Sequence, residues 1–123
     1  MTDILVLYDS RKGATGALAR EVCRGVDAVE GMHARLRTVP RVSSVSEAVE
    51  DPVPDSGPPC ATHVDLSECA GLVLGSPTHF GNMSASMKYF LDRTVAVWFG
   101  GGLEGKPAGL FASSSWLHGG QES

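Results

Sequence analysis

Three short apolar runs, each followed by a loop rich in Ser, Thr, Gly and Asn, constrain the fold of this chain more than any other feature. The runs cover residues 4–8, 71–74 and 107–112. The first is apolar throughout (ILVLY), which is typical of a strand that is buried on both faces of a parallel sheet. The third run also indicates a buried strand. Helical periodicity follows the first two runs, and strands that alternate with helices predict an α/β fold with right-handed crossovers.

Two stripes of apolar residues at intervals of three and four predict the helices. The first begins at Thr15, and Gly31 is placed to end that helix in a left-handed conformation. The second predicts one long amphipathic helix that is stopped by the glycines at 100–102. The stripes consist of Leu18, Val22, Val26 and Val29, and of Met83, Met87, Leu91, Val95 and Trp98.

Residues 33–39 alternate with period two, and Arg35 and Arg37 lie on one face. Charges on one face indicate an edge strand, so the sequence predicts the strand order 2-1-3-4-5 with the first and third strands central. Residues 41–64 are expected to form an irregular, Pro-rich insert on the surface. Within it, residues 44–49 have a capping pattern for a short helix.

The composition narrows the function classes. The chain has 123 residues, of which 42% are hydrophobic and 20% charged, so it suits one domain. A net charge of −4 argues against binding to nucleic acid. No apolar stretch is long enough to span a membrane, and the N-terminus lacks the basic segment of a cleaved signal. Cys23, Cys60 and Cys69 lack the spacing of a metal site, so we expect ordinary thiols in the cytoplasm and no metal.

Three loops follow the carboxyl ends of the predicted strands, where open parallel sheets bind ligands. They cover residues 9–16, 76–82 and 113–120. The first, DSRKGATG, offers the hydroxyls of Ser10 and Thr15 and leads into a helix N-terminus, where unpaired N–H groups favour a phosphate. It lacks the GxGxxG and GxxxxGK[ST] patterns, and an ordinary capped turn is the alternative interpretation.

The second loop, PTHFGN, suits the edge of a planar heteroaromatic ring. Pro77 fixes the backbone, and Gly81 and Asn82 allow positive φ angles that turn N–H groups inward. His79 and Phe80 offer flat faces, although His79 is more typical of a solvated loop histidine and Phe80 is equally consistent with a plug at the end of the sheet. The third loop repeats the hydroxyl and glycine chemistry. A phosphate site beside a planar-ring site predicts flavin mononucleotide (FMN).

Three segments resemble the flavodoxin-like NAD(P)H:quinone oxidoreductases of the tryptophan-repressor-binding-protein type. They are LVLYDSRKGATGALA, GSPTHFGNMSASMKYFLD and LEGKPAGLFASSSWLHGGQES. The resemblance implies a flavodoxin-like doubly wound parallel sheet, bound FMN, and the transfer of two electrons from NAD(P)H to a quinone. It implies no catalytic side chain, because the flavin performs the chemistry.

The resemblance also assigns residues to the ligands. Trp98 matches an aromatic that faces the substrate, usually at a subunit interface, although its place at the end of the helical stripe is more typical of a core residue. Lys12 stands where some members carry Tyr, and either attracts the pyridine nucleotide or lies in solvent. The expected FMN contacts are Ser10, Arg11, Lys12, Gly13, Ala14 and Thr15 for the phosphate, Pro77, Thr78, His79, Phe80, Gly81 and Asn82 for the ring, and Ser113, Ser114, Ser115, Trp116, Leu117 and His118 for the ribityl and ring side.

The family unit continues after GGQES with a fifth strand and further helices, so we expect a truncated domain of order 2-1-3-4 and a homo-oligomer when the protein is full length. Two other functions stay open. One is a non-catalytic or incomplete flavodoxin-like fragment, and the other is a one-electron carrier of the flavodoxin type. Such carriers tend to be strongly acidic around the flavin, so the modest charge and Arg11 count against the second.

Overall fold

The computed structural model describes residues 2–10, 13–42, 57–115, 119 and 123. These residues form alternating strands and helices. In chain order the elements are β1 (Thr2–Tyr8), α1 (Ala14–Asp27), β2 (Met32–Thr38), α2 (His63–Glu68), β3 (Gly71–Pro77), α3 (Ala85–Asp92), α4 (Val95–Phe99) and β4 (Ala108–Ser113).

The strands form one parallel sheet in the order β2-β1-β3-β4. The prediction that the first and third strands are central is therefore confirmed, as is the edge position of β2 with its arginines. Because all the pairings are parallel, the carboxyl ends of the four strands lie at the same rim of the sheet. Loops that leave these ends are thereby brought together.

The core has one layer on each face of the sheet, because successive side chains of a strand point to opposite faces. Leu5 and Leu7 of β1 pack with residues of α2 and α3. Val6 and Tyr8 pack against α1, in a cluster that includes Ala19. The first strand is buried on both faces at these positions, as its continuous apolar run predicted.

Helix α1 packs against the sheet through residues that are smaller than those of the apolar stripe from which the helix was predicted. Leu18 is 41% exposed, and Val29 is 53% exposed and lies beyond the end of the helix, so these two assignments to the buried face are wrong. Val22 does pack against the core, and Gly31 adopts the expected left-handed conformation with φ of 84°. The buried residues of the helix are Thr15, Gly16 and Ala19.

The predicted long helix from Met83 onward is two helices. Ser84 caps the start of α3, since its hydroxyl accepts a hydrogen bond from the Met87 N–H at 3.2 Å. The chain then leaves the helical path at Thr94, whose hydroxyl donates to the Leu91 carbonyl at 2.6 Å. A Thr side chain that bonds the backbone in this way competes with helix continuation.

Helix α2 was not predicted, although the sequence carries a signal for it. The Thr62 hydroxyl accepts from the Asp65 N–H at 3.4 Å, and the Asp65 carboxylate accepts from the Thr62 N–H at 2.9 Å. This reciprocal pair is a capping box. The T-x-x-D pattern directly before an apolar residue was the available clue.

The interpretation of residues 41–64 as an irregular surface insert is wrong at its carboxyl end. The last two of these residues belong to α2, and Cys60 and Ala61 are both buried. Prolines mark where regular structure is excluded, but they do not report whether the segment packs into the core. The expected helix at 44–49 lies outside the described residues.

Strand β4 is an exposed edge among the described residues, so the prediction of a third buried strand is wrong here. Leu110 is 80% exposed, whereas Phe111 packs into the cluster beside α1. An apolar composition cannot distinguish a covered strand from an uncovered one. None of the described helices has the length and apolarity needed to cross a membrane.

Arg35 links the edge strand to its neighbours. Its guanidinium contacts the carboxylates of Asp3 at 2.5 Å, Asp65 at 3.1 Å and Glu68 at 3.2 Å, which joins β1, β2 and α2. The hydrogen bond from Arg35 holds the pKa of Asp3 below its ordinary value, and the same contact raises the pKa of Arg35. Arg35, one of the charges that predicted an edge strand, therefore also links the sheet to α2.

Candidate functional site

A cleft of about 270 Å³ lies at the carboxyl rim of the sheet, and residues from all three loops line it. This convergence follows from the parallel topology, which places the ends of β1, β3 and β4 side by side. The lining residues are Ala14, Thr15, Pro77, Thr78, His79, Ser113, Ser114 and Ser115. All eight are among the FMN contacts expected from the sequence.

Direct hydrogen bonds join the third loop to the other two. The hydroxyls of Thr15 and Ser113 lie 2.7 Å apart, which ties the first turn of α1 to the end of β4. The Thr78 N–H donates to the Ser113 carbonyl at 3.0 Å. Thr15 is almost fully buried, so its hydroxyl joins two loops beneath the cleft.

The first loop leads into α1, whose N-terminus has no side-chain cap. Gly13 takes the N-cap position of α1 with φ of 89°, and no side chain caps this end of the helix. The first turn carries no acidic residue, so nothing there neutralises the positive end of the helix dipole. The Gly13 N–H donates to the Ser10 hydroxyl at 3.1 Å, which closes the loop on itself. This geometry favours an anion.

The second loop is a tight hairpin rather than a plug. His79 and Asn82 exchange backbone hydrogen bonds of 2.8 and 3.1 Å around a two-residue turn. Phe80 and Gly81 occupy the turn with φ of 53° and 75°, positive at both positions as a type I′ turn requires. Phe80 is fully exposed, so the interpretation that it plugs the end of the sheet is wrong. A non-glycine residue held in this conformation is strained, and such strain clusters at functional sites.

The base of the hairpin is held against α3. The Ser84 N–H donates to the Ser76 hydroxyl at 2.9 Å, and that hydroxyl donates to the Pro77 carbonyl at 2.8 Å. The Asn82 side chain accepts from the Met83 N–H at 2.8 Å. The loop is therefore fixed by short-range polar contacts and projects its tip beyond the rim.

Two residues in or beside the first loop were missed by the sequence analysis. Asp9 is buried with its Oδ2 atom left without a hydrogen-bond partner, and a buried unpaired carboxylate oxygen is costly. Arg41 donates from Nη2 to the Ser10 carbonyl at 2.5 Å. No sequence pattern indicated either role, because the first depends on burial and the second on how the chain returns after β2.

Trp98 lies away from the cleft. It is 72% exposed on α4, so it is not a core residue. Helix α4 packs against α2, and Trp98 is not among the residues that line the cleft. Within one chain it does not join the three loops. The remaining expected contacts Arg11, Lys12, Trp116, Leu117 and His118 fall outside the described residues, in which no cluster of metal-binding side chains occurs.

A parallel sheet of order 2-1-3-4 with a hydroxyl-rich cleft at its carboxyl rim has the flavodoxin-like architecture. Two solved structures share it: a WrbA-like flavodoxin from Agrobacterium tumefaciens and an archaeal flavodoxin, with TM-scores of 0.71 and 0.66. They are 23% and 20% identical to this chain. The matches cover 98% and 94% of the chain, and 64% and 65% of the respective structures.

The sequence match is more specific. The model of the NADPH-dependent FMN reductase family matches residues 2–123, and the chain belongs to this family. It is 41% identical to an NAD(P)H dehydrogenase (quinone) of Solidesulfovibrio magneticus and 42% identical to one of Geobacter sulfurreducens, each over 126 residues. Each match covers 98% of this chain and 62% of the relative, so the chain spans less than two thirds of these relatives.

Proposed function

We propose that this chain carries the FMN site of an oxidoreductase that transfers two electrons from NAD(P)H to a quinone. The observation that carries the proposal is the cleft lined by three separate loops, with an uncapped helix N-terminus on one side and a tight hairpin on the other. The family match and the names of the relatives support the same activity.

The residues present fit this cofactor by their donor chemistry. The helix N-terminus with Ser10 and Gly13 suits a phosphate, and the serine run at 113–115 suits the hydroxyls of a ribityl chain. The cleft is slightly smaller than the roughly 300–1,000 Å³ that ligand pockets usually enclose. His79, which lines the cleft, and Phe80, which follows it in the hairpin, would add contact surface for the flat ring.

When bound, FMN supplies the electron transfer, and the side chains bind and orient rather than act as acids or bases. In this proposal residues 10–15 hold the phosphate, residues 77–82 hold the ring and residues 113–118 close the ribityl side. We also propose that Lys12 attracts the pyridine nucleotide. Within one chain Trp98 lies away from the cleft. If Trp98 faces the substrate, it does so from a second copy of the chain, which is our reason to propose a homo-oligomer. We also propose a cytoplasmic location, because the three cysteines are scattered and odd in number.

Flavin titration tests the proposal. Quenching of FMN fluorescence should be saturable, and anaerobic NADH or NADPH should bleach the bound flavin, with benzoquinone restoring its colour. Ser10→Ala should weaken FMN binding, because it removes the acceptor of the Gly13 N–H, whereas the matched control Ser67→Ala, exposed on α2, should not.

The other outcomes separate the alternatives. Flavin that binds but is reduced only through a separate reductase indicates a one-electron carrier. Absence of saturable binding up to about 1 mM FMN, a binding free energy weaker than about 4 kcal/mol, would reject the flavin site altogether.

A further inference from the structure

Arg41 makes a contact that neither the sequence pattern nor the family match assigns. It follows β2, and its Nη2 atom donates to the Ser10 carbonyl at 2.5 Å. The side chain reaches across 31 positions of sequence to the loop that precedes α1. Hydrogen bonds from a charged donor are roughly twice as strong as neutral ones, so the contact is suited to fixing that loop.

Ser10 is thereby held at two atoms. Its carbonyl accepts from Arg41, and its hydroxyl accepts from the Gly13 N–H at 3.1 Å. The first contact fixes the backbone where the chain leaves β1, and the second fixes the turn where α1 begins. Loss of the guanidinium would free the carbonyl of Ser10 and loosen the loop that presents the helix N-terminus.

The charge of Arg41 is also available to an anion. In the described part of the chain no carboxylate lies within ion-pair distance of Arg41, whereas Arg35 and Arg37 on β2 both pair with Asp65. This partly buried guanidinium has no acidic partner among the described residues and is hydrogen-bonded to the loop that leads into an uncapped helix N-terminus, so it adds positive potential there. Asp9, whose buried Oδ2 atom has no hydrogen-bond partner, directly precedes Ser10 in the chain.

We infer that Arg41 is a positioning residue of the phosphate site, which holds the Ser10 carbonyl in place and adds positive charge for a phosphate monoester. The inference rests on the proposed FMN site. It is specific to the phosphate, so it predicts a difference between two flavins that share the same ring and ribityl chain and differ in the phosphate alone.

The test compares FMN with riboflavin. Dissociation constants are measured by fluorescence quenching for the unaltered chain and for Arg41→Gln, Arg41→Lys and the control Arg24→Gln, which removes an exposed arginine paired with Glu21 on α1. Arg41→Gln should weaken FMN binding about tenfold or more and leave riboflavin binding unchanged. Arg41→Lys keeps the charge and should lose less, and Arg24→Gln should bind both flavins normally.

Each remaining outcome decides a separate point. Equal losses for FMN and riboflavin, or no loss for Arg41→Gln, would overturn the inference, since the role would then be structural or absent. If the unaltered chain binds neither flavin, the proposed function fails, and inorganic phosphate then tests Arg41 alone. Phosphate should raise the melting temperature of the unaltered chain and of Arg41→Lys but not of Arg41→Gln, and an equal rise in all three would contradict the inference.

Discussion

Phe80 is strained in a way that a single substitution can measure. Its φ of 53° lies in the left-handed region, which costs an L-residue about 1–2 kcal/mol. The side chain is fully exposed, so it recovers nothing by burial. Asn tolerates this conformation, and Asn-Gly is the preferred pair for such a turn. We therefore expect Phe80→Asn to raise the free energy of unfolding by about 1 kcal/mol.

Two further variants isolate the cause. Phe80→Ala removes the ring but keeps the backbone penalty, so its stability should equal that of the unaltered chain. Phe80→Gly removes the penalty, but added freedom of the unfolded chain takes back about 0.4–1 kcal/mol, so its gain should be smaller than that of Asn. Urea denaturation at a constant m-value gives the three differences. An Asn variant no more stable than the Ala variant would refute the strain argument.

The same variants connect strain to function. If the turn holds the Phe80 ring in place for the flavin, all three substitutions should weaken FMN binding while Asn and Gly stabilise the fold. Such opposed effects are expected where a site retains a locally unfavourable conformation for its ligand.

Three further perturbations test other contacts. A Cβ atom on Gly75 would come much closer than 3.0 Å to the Phe111 ring, so Gly75→Ala should lower the free energy of unfolding by about 1–3 kcal/mol. The loss should be smaller in a chain that already carries Phe111→Ala, because the clashing ring is then absent. Equal losses in both backgrounds would contradict the clash. Thr15→Val should destabilise the chain by about 0.5–1.5 kcal/mol, because it removes the hydrogen bond between the Thr15 and Ser113 hydroxyls. Adding Ser113→Ala should cost little more in urea denaturation. The pKa of Asp3 is lowered in the folded state, so the ionised carboxylate stabilises the fold above its ordinary pKa of 3.8, and this stabilisation is lost as the pH falls through the lower folded pKa. The melting temperatures of the unaltered chain and of Asp3→Asn should therefore converge in acid. A constant difference between them would argue against the ion pair.

The sheet could be predicted because each strand carries a local sign of its environment. A continuous apolar run indicates burial on both faces, and Arg35 and Arg37 indicate an edge strand. The break between α3 and α4 could not be predicted from periodicity, because the apolar spacing of four and three from Leu91 to Trp98 continues across the turn at 93–94. The exposure of Leu110 could not be predicted either, because it depends on which residues pack beside β4.

The location of the site was predictable for a topological reason, while its internal contacts were not. Parallel pairing places the carboxyl end of every strand at one rim, so any loops that follow those ends must meet. The hydrogen bond between Thr15 and Ser113 joins residues 98 positions apart, and the contact of Arg41 with Ser10 depends on the path of the chain after β2. Such contacts follow from the assembled fold and leave no periodic trace in the sequence.

These contacts also explain how loops can form a precise site. In each loop a described residue is held by a protein group: Ser10 of the first by Arg41, the base of the hairpin by Ser76, and Ser113 of the third by Thr15. A ligand that enters a site ordered in advance does not have to offset the entropy of fixing the loops, so more of its contact energy appears as affinity. Substitutions at these supporting residues should therefore weaken binding even where the side chain does not line the cleft, as with Arg41 and Ser76, and the loss should be largest for the ligand group nearest the loop that each one holds.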